Sequence, residues 1–339
     1  MNNTSSTPAF TTPGYEDLEL STQILVGEAL RRGATIDVLD PAESFIAIHF
    51  QGRTEYVKQT TRTSLDTYIA ALIMENKLVS KQLVHKAGIT VPRGRVYRSR
   101  KAALADRTWS VGRAVVVKPN TTNFGIAVTI LDAQHSEQAF ITALDTAFRE
   151  DQTVLVEEFI SGKEYRFLVL GDRVNAVLER VPANVCGNGH QTITELVQEK
   201  NSDPLRGTGY VTPLEKIQLA AEEARFLAEQ GRDFNTIPAK GELVYLRKNS
   251  NISTGGDSID RTDDIHPGYK ELAVKATQAA GVVLNGADIV IKDINQAPEP
   301  ETYAVIELNF NPAIHIHCFP YQGKNRHPEQ EILDLLGIC

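Results

Sequence analysis

The period of the apolar positions changes several times along the chain, and the changes outline its elements. Over residues 20–32 apolar side chains recur at helical spacing, with Ile24, Leu25 and Leu30 among them and Gly33 placed to stop the helix. Residues 35–39 read as a short strand ending at Asp40-Pro41, so helix and strand together suggest a small α/β unit. A second helix starts near Asp66, or restarts at Asn76, and runs to Ala87, with Gly88 in the position that closes helices. From Ala114 the pattern turns to β hairpins. Strands over 114–118 and 128–131 flank a small-residue stretch, 119–127, and a helix over 136–148 precedes a strand over 153–159. Residues 165–170 and 173–181 flank Gly171-Asp172, a good two-residue turn. A long helix is expected over 213–230, and two late strands over 287–292 and 303–309. The sum is an α+β fold with antiparallel hairpins, not a doubly wound parallel sheet.

A chain of 339 residues exceeds what one compact core usually holds, so two or three subdomains are expected. Residues 1–13 are Ser/Thr/Asn/Pro-rich and almost uncharged, and read as a flexible tail, with folded sequence starting near Tyr15. Thirty-five basic and 43 acidic residues leave a net charge of −8, without a long Lys/Arg run. Broad binding to nucleic acid or anionic membrane does not fit that balance. An acidic chain that binds a triphosphate must gather a few cations at one place. Three scattered cysteines (Cys186, Cys318, Cys339) make no disulfide framework. The absence of an apolar run of ~20 residues and of a leader-like N-terminus suggests a soluble, cytoplasmic, reduced protein.

The chemistry concentrates in four places. Glu307 and Asn309 are two apart, so both leave one face of a strand, and a hairpin symmetric about 293–302 puts Asp288 opposite Glu307. Two carboxylates and an amide oxygen form a hard oxygen set that suits Mg²⁺ better than zinc. The plainer alternative is two solvated strand faces. Lys118 ends an apolar strand beside the 119–127 loop and is placed to hold a phosphate, although surface lysines beside Gly loops are common. Neither a Walker A loop nor a dinucleotide fingerprint occurs. The run Glu157-Glu158-Phe159-Ile160 ends a strand and offers backbone groups to an adenine edge, with Glu164 placed for ribose hydroxyls. Finally, Arg247 and Lys248 precede Asn249, Asn251 and a Ser253-Thr254-Gly255-Gly256 turn, an anion cradle of guanidinium, amide and backbone donors. His315-Ile316-His317-Cys318 resembles a metal cluster, but strand alternation would put the two His on one face and Cys318 on the other.

Taken in order, these segments resemble the ATP-grasp superfamily, and more closely the C-terminal glutathione synthetase region of bifunctional glutamate–cysteine ligase/glutathione synthetases. The motifs are Glu19-Leu20-Ser21-Thr22-Gln23, Tyr56-Val57-Lys58-Gln59, Met74-Glu75-Asn76-Lys77, Asn123-Phe124-Gly125, Arg180-Val181-Pro182-Ala183-Asn184-Val185, and the stretch from Glu307 to Tyr321. The similarity spans roughly residues 15–338. Cyanophycin synthetases resemble the chain next most.

The resemblance implies a flexible tail (1–15), an N-terminal α/β subdomain (16–92), a β-rich lid (93–158) and a larger C-terminal subdomain (159–339). It implies ATP with two Mg²⁺, Mn²⁺ being able to substitute. Lys77, Lys118, Asn123 and Gly125 would contact the nucleotide phosphates, Glu157, Glu158, Phe159 and Ile160 the adenine, and Glu164 the ribose. Asp288, Glu307 and Asn309 would be the metal ligands. Arg247 and Asn251 would face the transferred phosphoryl group as catalytic residues. Arg166, Arg180, Ser253, Thr254, Gly255 and Gly256 would bind substrate. The implied reaction makes glutathione from γ-glutamylcysteine and glycine by way of an acylphosphate, releasing ADP and phosphate. Only a short tail precedes this region, so the second step alone is expected. The implied partners are small molecules, and a homo-oligomer is compatible with the reading. A ligase for another amino-acid or peptide pair and a non-catalytic nucleotide-binding protein are the alternatives.

Overall fold

A computed structural model describes residues 10–122 and 125–339. The chain opens with α1 (Leu20–Arg31), β1 (Thr35–Asp40), β2 (Phe45–Phe50), β3 (Arg53–Lys58), α2 (Tyr68–Glu75), α3 (Lys77–Lys86), β4 (Gly94–Tyr97) and α4 (Arg100–Ala105). Next come β5 (Val115–Pro119), β6 (Thr129–Leu131), α5 (Glu137–Glu150), β7 (Val154–Glu158), β8 (Lys163–Leu170), β9 (Arg173–Val181) and β10 (Asn184–Cys186). The middle of the chain adds α6 (Ile193–Lys200), β11 (Arg206–Gly207), β12 (Leu214–Glu215), α7 (Ala221–Glu229), β13 (Leu243–Tyr245) and β14 (Asp257–Asp260). The chain closes with α8 (Pro267–Ala279), β15 (Leu284–Ile291), β16 (Tyr303–Asn309), α9 (His315–Cys318) and α10 (Pro328–Leu335).

These elements sort into two compact units built from interleaved stretches, where the sequence suggests contiguous parts. Residues 66–174 and 264–310 form one unit, which carries two sheets. In the order β4-β7-β5-β6, the first is antiparallel throughout and closes over a core that includes Val115, Val117, Phe140, Leu144, Val154 and Val156. Phe140 and Leu144 lie four apart on α5, so one helical stripe fills that core. In the second sheet β15 pairs antiparallel with β8 on one side and β16 on the other. Every residue of β15 is buried, and α8 packs on it. Asn76 breaks the helical run as the sequence suggests: its φ of −96° and ψ of 97° end α2, and its side chain accepts the Val79 N–H of α3 at 3.1 Å.

The second unit comprises residues 175–263, 311–339 and the chain up to residue 65. Helix α1 ends at Gly33, whose φ is 85°. The chain beyond it does not make a simple α/β unit. β1, β2 and β3 form an antiparallel meander whose second turn is Gln51-Gly52, with φ of 47° and 75°. Residues 10–13, expected to be part of a flexible tail, are packed instead: Phe10 is buried with its ring meeting that of Phe319 edge-on at 5.7 Å, and Thr12 bonds Gln23. The long helix expected over 213–230 begins only at Ala221, since Leu214–Glu215 pairs instead with Arg206–Gly207. His315–Cys318 is a helical turn, so strand alternation does not apply to it. Ser21 Oγ meets His315 Nδ1 at 2.8 Å, and the Cys318 thiol donates to Glu329 at 3.3 Å. Among the described residues, no helix is long and apolar enough to cross a membrane.

Candidate active site

The β8–β15–β16 sheet gathers most of the polar residues singled out in the first unit. Arg166, Asp288 and Glu307 are direct cross-strand partners, so their side chains share one face. Glu164 lies two residues before Arg166 and belongs to the same face. Arg166 donates to both Asp288 oxygens, from Nε to Oδ1 and from Nη2 to Oδ2 at 2.8 Å. The Asp288 and Glu164 carboxylates hold that guanidinium above the ordinary arginine range despite the opposing effect of burial. Asn309 donates its amide to Asp288 Oδ2 at 3.1 Å and to the Gly286 carbonyl at 3.2 Å, which leaves its Oδ1 as the acceptor of the pair. The sheet needs glycine at 286, where a Cβ would come within 2.8 Å of Arg166 Cδ.

The lysines come from two other elements of that unit. Lys77, the first residue of α3, reaches Glu307 at 3.0 Å and also donates to the Thr122 carbonyl. Lys118 on β5 pairs with Glu157 at 2.9 Å. One turn after Lys77, Lys81 donates to both oxygens of the same Glu157. All three members of this cluster are buried. Burial alone would raise the Glu157 carboxyl, but Lys118 and Lys81 outweigh it and hold the group below the usual range. Burial pushes Lys81 down to about 7, with the Lys118 charge adding to the effect. Lys118 moves the other way, because Glu157 and Glu307 overcome its burial.

The remaining nucleotide candidates are placed unevenly. Glu158 is taken up by Arg93, at 3.1 Å between Nη2 and Oε2, and the Phe159 N–H bonds the Ala114 carbonyl at 2.9 Å. Phe159 is exposed and Ile160 half-buried. Gly125 sits in a turn with φ of 74°. Asn123 lies outside the described residues.

Arg180, Arg247, Asn251 and the 253–256 turn belong to the second unit. Arg180 donates to Asn251 Oδ1 at 2.7 Å. The Asn251 carbonyl accepts from the Thr254 and Gly256 N–H groups, both at 3.2 Å, which folds residues 251–256 into one compact turn. Gly255 has φ of 91°, and a Cβ there would lie 2.7 Å from Ile217 Cα; at Gly256 it would lie 2.8 Å from two carbonyl oxygens. Arg247 turns toward α7, where Glu223 takes its Nε at 2.5 Å and Glu222 its Nη1 at 2.9 Å. Sequence reasoning missed Lys81, Glu223 and Arg206. Arg206 reaches the Gly255 carbonyl at 3.1 Å and pairs with the buried Asp257. Lys81 alone had a legible signal, its place four residues after Lys77 on one helical face.

As a cation site, Asp288 of β15 and Glu307 and Asn309 of β16 offer two carboxylates and an amide oxygen on one face of the sheet, a donor set that fits a hard divalent ion. Among the described residues there is no group of three or more His, Cys, Asp or Glu that could hold a metal, so the amide is needed to complete the set.

A family model described as an ATP-grasp-like domain matches residues 16–69, and one described as the C-terminus of D-ala D-ala ligase matches residues 83–192. The chain is 53% identical over 327 residues to a bifunctional glutathione biosynthesis protein of Clostridium perfringens, covering 96% of this chain and 42% of that one. The Desulfotalea psychrophila protein of the same description is 51% identical over 325 residues, with 96% and 42% covered. A crystal structure of a bifunctional glutathione synthetase from Pasteurella multocida superposes with a TM-score of 0.76 at 45% identity, covering 97% of this chain and 45% of that one. The chain therefore spans about two fifths of the length of the curated relatives it matches, at 42%.

Proposed function

We propose, from its matches to an ATP-grasp-like domain and to bifunctional glutathione biosynthesis proteins, that this chain is an ATP-grasp enzyme, an ATP-dependent carboxylate–amine ligase acting in the cytoplasm. The substrates proposed are γ-glutamylcysteine and glycine. The observation that carries the reading is the concentration of Lys77, Lys118, Glu157, Asp288, Glu307 and Asn309 within one unit, where the last three lie on one face of the β15–β16 pair.

ATP would transfer its γ-phosphoryl group to the cysteinyl carboxylate, and the glycine amine would then displace phosphate to form the amide. Phosphoryl transfer asks little covalent chemistry of a protein, so positioning and charge screening are the contributions to look for. Lys118 and Lys77 would supply point charges for phosphate oxygens, while Glu164, on the Asp288 face, would take the ribose hydroxyls. Asp288, Glu307 and Asn309 would hold Mg²⁺, two ions in this reading, which when bound screens charge on the phosphates. Arg166 orients Asp288 through its two bonds. Arg247 and Asn251 are proposed to face the transferred phosphoryl group. Arg180 and the 253–256 turn offer guanidinium and backbone donors to a substrate carboxylate.

Incubation with ATP, Mg²⁺, γ-glutamylcysteine and glycine is expected to yield ADP, phosphate and glutathione in equal amounts, read by mass spectrometry. A different amide formed from a mixed amino-acid pool, with no tripeptide, would move the substrate assignment. Release of AMP and pyrophosphate would overturn the mechanism.

A further inference from the structure

Glu157 is shared by two lysines that reach it from different elements, Lys118 from β5 and Lys81 from α3. The three side chains are almost fully enclosed, at 6%, 10% and 9% exposure in the order Glu157, Lys118, Lys81. Two cations and one carboxylate in so little water leave one positive charge uncompensated within the trio. Glu307 of β16 bears on Lys118 as well, but it is also paired with Lys77. Lys81 makes both of its bonds to Glu157.

We infer that Lys81 is a positioning residue for nucleotide binding: by drawing on Glu157 it loosens the hold of that carboxylate on Lys118 and leaves the Lys118 ammonium available to a phosphate. The inference rests on the nucleotide reading of Lys118. Its consequence is a dependence on pH. Burial lowers Lys81 to about 7, while Lys118 keeps its proton more firmly than a free lysine. Below about pH 7 both lysines are charged and Glu157 is divided between them. Above it Lys81 is neutral, Glu157 pairs with Lys118 alone, and the site offers a triphosphate one charge fewer. Affinity for ATP should thus fall as pH rises through neutrality.

The test is direct calorimetric titration of the full chain with Mg-ATP, without the other substrates, from about pH 6 to about pH 8.5. Wild type, Lys81→Arg and Lys81→Met are compared. Arginine stays charged throughout, so the ratio of the wild-type Kd to the Lys81→Arg Kd cancels the titration of the nucleotide's own phosphates. That ratio is expected to rise about tenfold across the range. Lys81→Met should bind weakly, with no such rise against Lys81→Arg; if it fails to fold by circular dichroism, the wild-type and Lys81→Arg pair decides alone. A constant ratio would overturn the inference and leave nucleotide binding standing. No ATP binding by wild type at any pH would overturn the nucleotide reading and this inference with it.

Discussion

Asp288 faces Glu307 because β16 carries one more residue than the strand beside it. Nearer the loop the pairs are Ile291 with Tyr303, Val290 with Ala304 and Ile289 with Val305, a register that would set Asp288 against Ile306. The ladder shifts between Asp288 and Ile289, Ile306 is left as the extra residue of a bulge, and Glu307 takes the place across from Asp288. A one-residue slip sends every later side chain to the other face of the sheet. The bulge is therefore what puts the carboxylate of Glu307, and with it the amide of Asn309, on the Asp288 side.

Replacing Glu307 by Gln keeps the shape and removes the charge. Ligation is expected to fall ~10³-fold or more if charge stabilisation runs through this face, while circular dichroism stays that of the wild type. Near-normal turnover at saturating Mg²⁺ would sink the proposed metal set.

Lys118→Ala removes a charge-assisted phosphate contact, worth on the order of 1.5–3 kcal/mol. The apparent KM for ATP should rise roughly ten- to a hundredfold with slower turnover, and the KM for the peptide substrate should change little. An ATP KM and a turnover both within error of wild type would show that Lys118 does not meet the nucleotide.

Gly255→Ala tests the turn after Asn251. A residue with a Cβ is strained at a φ of 91°, and the Cβ would lie 2.7 Å from Ile217 Cα. A loss of about 1–3 kcal/mol is expected in urea unfolding. A midpoint unchanged from wild type would mean that the turn relaxes freely.

Arg326 bonds Asp260 at 2.5 Å and Asp263 at 2.9 Å. Its bonds are the main influence lowering Asp263 below the carboxylate range; at Asp260 burial opposes them and is outweighed. Carboxyls depressed in the fold stabilise it above their unfolded pKa, about 3.9, and lose that contribution as pH falls further. Arg326→Met should be less stable than wild type at pH near 7 and lose less on acidification below about pH 4. Parallel losses of urea midpoint in the two proteins would contradict the assignment.

Local pattern made much of this legible. Asn76 carries a capping side chain, Gly33 and Gly88 take positive φ after their helices, and β16 runs over the residues that alternation marks. β2 and β3 went unread, although Gln51-Gly52 between two alternating runs is a hairpin signal. Pro213-Leu214-Glu215 looks like a helix start, yet the tertiary pairing with Arg206–Gly207 claims it first. The bulge at Ile306 has no turn residue to announce it. Hairpin symmetry reached the Asp288–Glu307 pairing by placing the loop one residue off, and the bulge made up the difference. Partnerships such as Arg166 with Asp288, 122 residues apart, or Lys81 with Glu157, 76 apart, depend on which strands become neighbours, and local periodicity does not carry that.

The interleaving of the two units bears on how the polypeptide acquires its structure during synthesis. One unit needs residues 264–310 to complete what 66–174 begin, and the other needs 311–339 to complete what the first 65 residues begin. Ser21 waits 294 residues for His315, and the buried hydroxyl of that serine has the Ile314 and His315 N–H groups as partners only then. Closing so long a loop is entropically little worse than closing one half as long, about 0.6 kcal/mol per doubling, but it is slow. On the ribosome, α1 therefore emerges long before its packing partners in α9 and α10, and until they follow it presents unmet apolar surface to chaperones.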